Sequence, residues 1–365
     1  MKILHVYKDF DPPVRGGVER HIALMCRYQR EWAKVRALTC SHSLLTRRMT
    51  RDGTDVIEVG EWGRFQSAPI SPMYPLQLRR NEADVVVVHM PNPTAELSWL
   101  MARPRGKLVV RYHSDVIRQA SAMRFYAPIQ HRFLAHADVI LVGSDHYLDS
   151  SPTLQPFRKK CRVLPFGVVS EAFDAPSAES VAAIRNQYGG RFVFFSGRHR
   201  YYKGLRYLVE AAESIGAPVV ISGDGPERAE LQRLAGSLGV EVHFPGELTD
   251  DALVAHLHAA AVFVFPSVER SEAFGISILE AHACGTPVVA TRLGTGVEYA
   301  NLDGVTGINV PPRDAASLAA AVNGLLQNEA ERATMGRQAR ERVEREFRAA
   351  DIARREFEIY QELTS

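Results

Sequence analysis

Two series of short apolar runs, each alternating with longer helical patterns, decide what this chain can fold into. In Val85-Val86-Val87-Val88 and in Val139-Ile140-Leu141-Val142 the apolar residues follow one another without polar alternation. A strand of that kind must be covered on both faces, which is the situation inside a parallel sheet layered between helices. The first series of strand candidates is 3–7, 35–40, 55–60, 84–89, 108–113, 138–144 and 162–166, with helical stretches such as 18–30 and 125–137 between them. The second is 192–196, 218–222, 241–244, 262–265, 287–290 and 307–310. Residues 167–190 lack a strand signal, so the boundary is expected there, giving domains 1–168 and 169–349. After residue 315 the pattern is helical, and a last helix within 350–365 is expected to cross back to the first domain. The βαβ rhythm predicts an α/β protein of two Rossmann-like, doubly wound domains facing a cleft. Ligands in such sheets bind beyond the carboxyl ends of the strands.

Composition removes several alternatives. With 46% hydrophobic and 24% charged residues the chain reads as globular, and it has no low-complexity segment. No apolar run reaches the ~18 residues needed to cross a bilayer. The opening MKILHVYKDF reads as a strand with no signal-peptide pattern, so a cytoplasmic protein is expected. Cys26, Cys40, Cys161 and Cys284 are scattered and form no CxxC pair, which suggests neither a zinc site nor a disulfide framework. The net charge of +2 hides an asymmetry. Residues 1–168 hold 25 Lys and Arg against 15 Asp and Glu, and residues 169–365 hold 19 against 27. Either the basic half meets an anionic membrane or a lipid-diphosphate acceptor, or its arginines are merely scattered and solvated. Nothing in the pattern points to nucleic acid.

The most informative motif is PSVERSEAFGISILEAHACGTPVVA, residues 266–290. A strand ends at Phe265 and a helix is expected from about Phe274 to Cys284, with Glu272 in the loop before it and Glu280 about two turns in. The N–H groups of Phe274, Gly275 and Ile276, with Ala273 just ahead, can face an anion such as a diphosphate. A carboxylate accepts two hydrogen bonds from vicinal hydroxyls, which suits a ribose or a hexose. The bland alternative is that Glu272 caps the helix and Glu280 is a surface residue.

A second motif, FSGRHRYYKGLRYLVEA at 195–211, places Arg198 and Lys203-Gly204 between a strand and a helix. A guanidinium and an ammonium there would stabilise the charge growing on a departing diphosphate. Gly223, in SGDGP, and Leu248, in FPGEL, follow the next two strands, where backbone can lie against a base or phosphate; plain strand–helix turns explain them equally well. In the first half, Gly16-Gly17 precede a helix and can meet a phosphate or sugar, with Lys8, Arg15 and Arg20 around them as candidates for an acceptor phosphate. The spacing is neither a P-loop nor a dinucleotide fingerprint. His113 ends a strand in RYHSD and can bond to a sugar hydroxyl, with Asp115 two residues on as a further candidate for the acceptor, and His89 ends VVVVH in similar geometry.

On these residues the sequence resembles family 4 of the retaining glycosyltransferases, which have the GT-B fold. The resemblance covers essentially the whole chain. It rests on Glu272-x7-Glu280 in its FG…EA…G-PVV frame, on Gly197-Arg198-x4-Lys203-Gly204, and on Gly16-Gly17-x-Glu19. It implies that Glu280 binds the nucleotide's ribose, Glu272 the transferred sugar's hydroxyls, and Arg198 and Lys203 the diphosphate, with His113 near the sugar's hydroxymethyl group. It further implies that no cofactor or metal is needed beyond the nucleotide diphosphate sugar. RLGTGVEYANLDGVTGINVPP at 292–312 looks most like bacterial O-antigen and exopolysaccharide mannosyltransferases, which favours GDP-mannose over a UDP-sugar and a glycan acceptor, lipid-linked or free. Where an acidic residue commonly follows PFGV, this chain has Val169. The rival readings are an epimerase or hydrolase on the same scaffold, and a partner subunit that binds a nucleotide sugar without turning it over. A dehydrogenase is more distant still, because its fingerprint is missing.

Overall fold

The computed structural model describes every residue except Arg15, Gln66 and 116–119, together with the side chains of 120–125. The chain forms two compact units, Met1–Phe166 with Ala349–Ser365, and Gly167–Arg348.

The first unit holds β1 (Lys2–Val6), β2 (Lys34–Cys40), β3 (Arg47–Arg51), β4 (Thr54–Val59), β5 (Gly63–Phe65), β6 (Ala68–Ile70), β7 (Val85–Met90), β8 (Lys107–Tyr112), β9 (Val139–Val142) and β10 (Cys161–Val163). Eight of these make one sheet in the order β10-β9-β8-β7-β1-β2-β4-β3. All neighbours are parallel except β3, which runs antiparallel to β4 along the edge. Every residue of β7 and β9 is buried, as expected of strands with helices on both faces. The core joins Ile3, Val87, Val109 and Leu141 of the sheet to Ile22, Met25 and Cys26 of helix Gly17–Gln29.

The chain returns to this unit through helix Ala349–Thr364, whose Ile352, Ala353 and Tyr360 are fully buried in the same core. Trp32 packs on Phe357 at 5.5 Å, and Arg162 pairs with Glu362 at 2.5 Å. The division therefore falls just ahead of Gly167 and at Ala349. Where the chain crosses over, Val168 donates its N–H to the Phe347 carbonyl at 2.8 Å, so the outgoing and returning segments run side by side.

The second unit has β11 (Val193–Ser196), β12 (Val219–Ser222), β13 (Val242–Gly246), β14 (Val262–Phe265), β15 (Val288–Thr291) and β16 (Gly307–Val310), ordered β13-β12-β11-β14-β15-β16 and wholly parallel. That is the doubly wound order of a Rossmann sheet, with its switch point between β11 and β14. In the first unit the switch lies between β1 and β7.

Three features differ from the sequence reading. Strand β3 and the β5–β6 hairpin were not expected; RRMTR is a polar, largely exposed edge with no apolar period to reveal it. The helix after β14 begins at Ile276, not Phe274, because Gly275 takes a left-handed φ of 85° and serves as its N-cap. Glu280 therefore lies only just over one turn in, four residues past the first.

Candidate functional site

In the second unit the loops leaving β11 and β14 flank the switch point, and they hold the residues that the two strongest motifs single out. The loop after β11 contains a short 3-10 turn, Tyr201–Lys203, closed by Gly204. Gly204 has φ 64°, and a Cβ there would stand 2.1 Å from the Pro266 carbonyl oxygen. Only glycine lets the two loops approach so closely. Val268 then donates its N–H to the Tyr202 carbonyl at 2.8 Å, fastening one loop to the other.

This docking carries Lys203 to Glu272. The ammonium meets Glu272 Oε2 at 2.5 Å, with the two side chains 13% and 12% exposed. Ser267 Oγ donates to the same oxygen at 3.2 Å, and the ammonium lies 4.7 Å from the Phe265 ring centre and 5.5 Å from that of Tyr202. Burial disfavours the charge on Lys203, but Glu272, Tyr202 and Glu280 outweigh it and hold the ammonium's pKa above its ordinary value. Glu280 thus acts electrostatically on the same lysine from helix Ile276–Ala283. Two acids and one cation gather around a single switch point, and Glu272 is no helix cap: the helix has no side-chain cap at all.

The Glu272 loop is pinned from the other side. Thr295 donates its hydroxyl to the Glu272 carbonyl at 2.9 Å, and Gly296 donates its N–H to the Ala273 carbonyl at 2.8 Å. Phe274 is buried, 6.2 Å from Tyr299 and 6.3 Å from Phe347, so its side chain anchors the loop. Arg198 follows β11 with its side chain exposed. Gly223 has φ 105°, and a Cβ there would lie 2.1 Å from the Gly197 carbonyl oxygen, so its glycine is required by backbone packing next to the Arg198 loop. Leu248 is half-buried beyond the end of β13.

In the first unit, Gly16 is extended and caps helix Gly17–Gln29, with the Glu19 carboxylate folded over it where a Cβ would be 2.2 Å from Oε2. Burial raises the pKa of Glu19, partly offset by Lys8. Lys8 is half-buried beside the Tyr7 ring at 5.6 Å, and Arg20 is exposed. Arg15 lies outside the described residues. Asp115 is engaged by the fold: Tyr112 and Ser151 donate hydroxyls to its Oδ1 at 2.7 and 2.8 Å, and its own N–H meets the Tyr147 hydroxyl at 2.5 Å. These bonds give Asp115 a structural task that the sequence did not suggest.

His113 follows β8 and is 6% exposed. Its Nε2 lies 2.9 Å from His89 Nδ1, and His89 Nε2 lies 3.0 Å from His5 Nδ1. His21 packs edge-on against His113 at 5.7 Å and against Phe166 at 4.9 Å. Four histidines thus meet at the carboxyl ends of β1, β7 and β8, where the sequence reading singled out only two. His5 and His21 carried no separate signal: His5 reaches His89 only because β1 pairs with β7, and His21 only because helix Gly17–Gln29 packs on the sheet. Among the described residues no group of acidic, histidine or cysteine side chains could hold a metal ion, and no helix is long and apolar enough to cross a membrane.

Comparison with known proteins identifies the family. Residues 178–342 match the family model described as glycosyl transferases group 1, and residues 16–167 match a glycosyl transferase 4-like domain. The chain is 36% identical to the O-antigen chain mannosyltransferase C of Escherichia coli over 96% of its own length and 95% of that protein's. It is likewise 36% identical to the D-rhamnosyltransferase WbpZ of Pseudomonas aeruginosa, over 96% of this chain and 93% of the other. Among solved structures it is similar to Anabaena Alr3699/HepE in complex with UDP, with a TM-score of 0.80, 19% identity and all of both chains covered.

Proposed function

The chain belongs to family 4 of the glycosyltransferases, with the GT-B fold, and from that premise we propose that it transfers a hexose from a nucleotide diphosphate donor to a glycan with retention of anomeric configuration. The observation that carries this reading is the Lys203–Glu272 pair at the second switch point, with Glu280 acting on the same lysine. An ammonium has three N–H donors; Glu272 takes one, and the others suit diphosphate oxygens. Arg198 adds the second cation. Glu272 is assigned to the transferred sugar's hydroxyls, Glu280 to the ribose, and the Gly275–Ile276 backbone and Gly16-Gly17 to phosphate and sugar. His113 is assigned to the sugar's hydroxymethyl group.

As the bond from the sugar to the diphosphate breaks, negative charge grows on the leaving oxygen, and Lys203 and Arg198 stabilise that charge more than the ground state. The acceptor hydroxyl attacks from the same face, and the departing phosphate oxygen takes its proton. No separate general base and no metal ion is required. GDP-mannose is the favoured donor, consistent with the likeness to a protein named as an O-antigen chain mannosyltransferase. The equal likeness to a D-rhamnosyltransferase favours a second reading, a 6-deoxyhexose donor.

The acceptor is assigned to a surface polysaccharide under construction, lipid-linked at the inner face of the membrane. Exposed apolar side chains around the β5–β6 hairpin support a membrane contact: Trp62 is 74% and Phe65 65% exposed, with Leu44 and Leu45 alongside. Arg47 and Arg48 are exposed nearby on β3. Aromatic side chains beside arginine favour an anionic interface.

The test is a panel of GDP- and UDP-sugars screened for protection against thermal unfolding, followed by transfer to an oligosaccharide acceptor with and without chelator. Donor consumption without acceptor would point to an epimerase or hydrolase. Protection without transfer to any acceptor would point to a binding subunit. A product of inverted configuration, read by NMR, would overturn the front-face mechanism.

A further inference from the structure

Glu272 spends its two carboxylate oxygens unequally. Oε2 accepts from the Lys203 ammonium at 2.5 Å and from the Ser267 hydroxyl at 3.2 Å. An ionised carboxylate offers about two acceptor sites on each oxygen, so Oε2 is fully used. Oε1 has no hydrogen-bond partner among the described residues, and it is not closed off from solvent. An acid that serves only the fold looks different. Glu298, on the nearby helix Gly296–Ala300, gives Oε1 to the Gly294 N–H at 2.7 Å and Oε2 to the Thr295 N–H at 3.3 Å, so neither oxygen is left over.

The asymmetry at Glu272 is imposed from several sides. Its main chain is held before and after the Cα: the N–H donates to the Glu269 carbonyl at 3.0 Å, and the carbonyl accepts from Thr295. Only the side-chain torsions are then left to settle. Lys203 arrives from the loop after β11 and Ser267 from the loop after β14, so one oxygen is gripped from two directions. Ser267 is wholly buried, and its own carbonyl accepts from the Thr291 hydroxyl at the end of β15. A serine hydroxyl has a single proton, and here that proton goes to Glu272.

We propose that Ser267 is a positioning residue of the donor site: with Lys203 it commits Glu272 Oε2 to the protein, and so presents Oε1 alone to one hydroxyl of the transferred sugar. This inference rests on the reading that Glu272 meets that sugar, and it deepens that reading into a specificity. Bridging two vicinal hydroxyls takes both carboxylate oxygens, one for each. With Oε2 spent, Glu272 reads a single ring position and leaves the neighbouring hydroxyls to other groups. Ser267 itself touches no substrate.

The experiment measures dissociation constants by calorimetry for GDP-mannose and UDP-glucose, and for analogues of each that lack one ring hydroxyl at a time. The proteins are the full-length wild type, Glu272→Gln, Ser267→Ala and Ser267→Cys. Removing the hydroxyl that Oε1 meets should weaken binding to the wild type about tenfold or more, the worth of a hydrogen bond to a charged group. In Glu272→Gln that penalty should shrink about threefold or more, as the charge is lost, while the penalties at other positions stay as they were. Ser267→Ala removes only a hydroxyl. It frees the carboxylate to turn, and the same single penalty should shrink by a similar factor. Ser267→Cys, close in size with a weaker donor, should fall between. A serine with a merely structural task would instead lower the unfolding midpoint and weaken every donor alike. Two adjacent hydroxyls whose penalties both depend on Glu272, or a Ser267→Ala profile that matches the wild type, would overturn the proposal. Penalties independent of Glu272 at every position would remove that acid from the sugar, and the proposal would then fall together with the reading beneath it.

Discussion

Replacing Lys203 by Met should destabilise the second unit, because it strands a carboxylate inside the protein. The Glu272 side chain is 12% exposed and accepts two hydrogen bonds, from Lys203 at 2.5 Å and from Ser267 at 3.2 Å. After the substitution the serine alone remains. Breaking a buried ion pair by removing one partner costs ~3–5 kcal/mol, and the slight access of water to both side chains points to the lower end, about 3 kcal/mol. For a domain of this size each kcal/mol moves the midpoint by ~2–4 °C, so the transition should fall by roughly 6–12 °C. The assay is thermal unfolding of the wild type, Lys203→Met, Glu272→Gln and the double variant. Removing both charges should recover most of the loss, because the desolvation cost of each ion disappears with its partner. Transfer should be lost in every variant, which separates the catalytic role from the structural one. The reasoning is refuted if the two single effects add within ~0.5 kcal/mol, since residues in contact must couple.

Arg198 is exposed, so Arg198→Ala should leave the unfolding midpoint unchanged while cutting turnover about 100-fold or more, the ~3 kcal/mol of a lost transition-state contact; wild-type turnover would remove it from the diphosphate. Gly204→Ala should cost ~2 kcal/mol or more and weaken donor binding, since the new methyl must displace the Pro266 carbonyl 2.1 Å away; an unshifted midpoint in calorimetry would contradict the close docking of the two loops. Glu96 gives a pH signature. Burial pushes its carboxyl up to about 7 against hydrogen bonds from the Tyr126 hydroxyl and the Asn92 N–H. The folded state keeps a proton that the unfolded chain releases near the ordinary value of 4.5, so stability is greatest below that value. It falls as pH rises through 7, by about 3 kcal/mol in the limit. Glu96→Gln should flatten this dependence in melts from about pH 5 to 8, and an unaltered slope would exclude Glu96 as its source.

Local pattern was enough to find the strands that matter, because Val85–Met90 and Val262–Phe265 are apolar throughout and leave no other way to be buried. It also singled out Glu272, Glu280, Arg198 and Lys203 as candidates, since each follows the end of such a strand in a readable motif. It missed Arg47–Arg51, whose polar edge pairs with β4 through backbone alone, and it began the helix at Phe274 because a left-handed glycine leaves no mark in apolar periodicity.

The sequence alone determined the elements, their alternation and the kinds of side chain that follow them, since these depend on neighbours a few residues apart. Tertiary structure decided the pairings. Lys203 reaches Glu272 across 69 residues only because β11 and β14 are neighbours in the sheet. His5 joins His89 and His113 only because β1 lies beside β7 and β7 beside β8. Ile352 and Tyr360 lie in the first core only because the last helix returns to it. A charge or a ring nitrogen acquires its partner, its protonation state and its direction from whatever strand order brings to it, and strand order is a property of the whole fold.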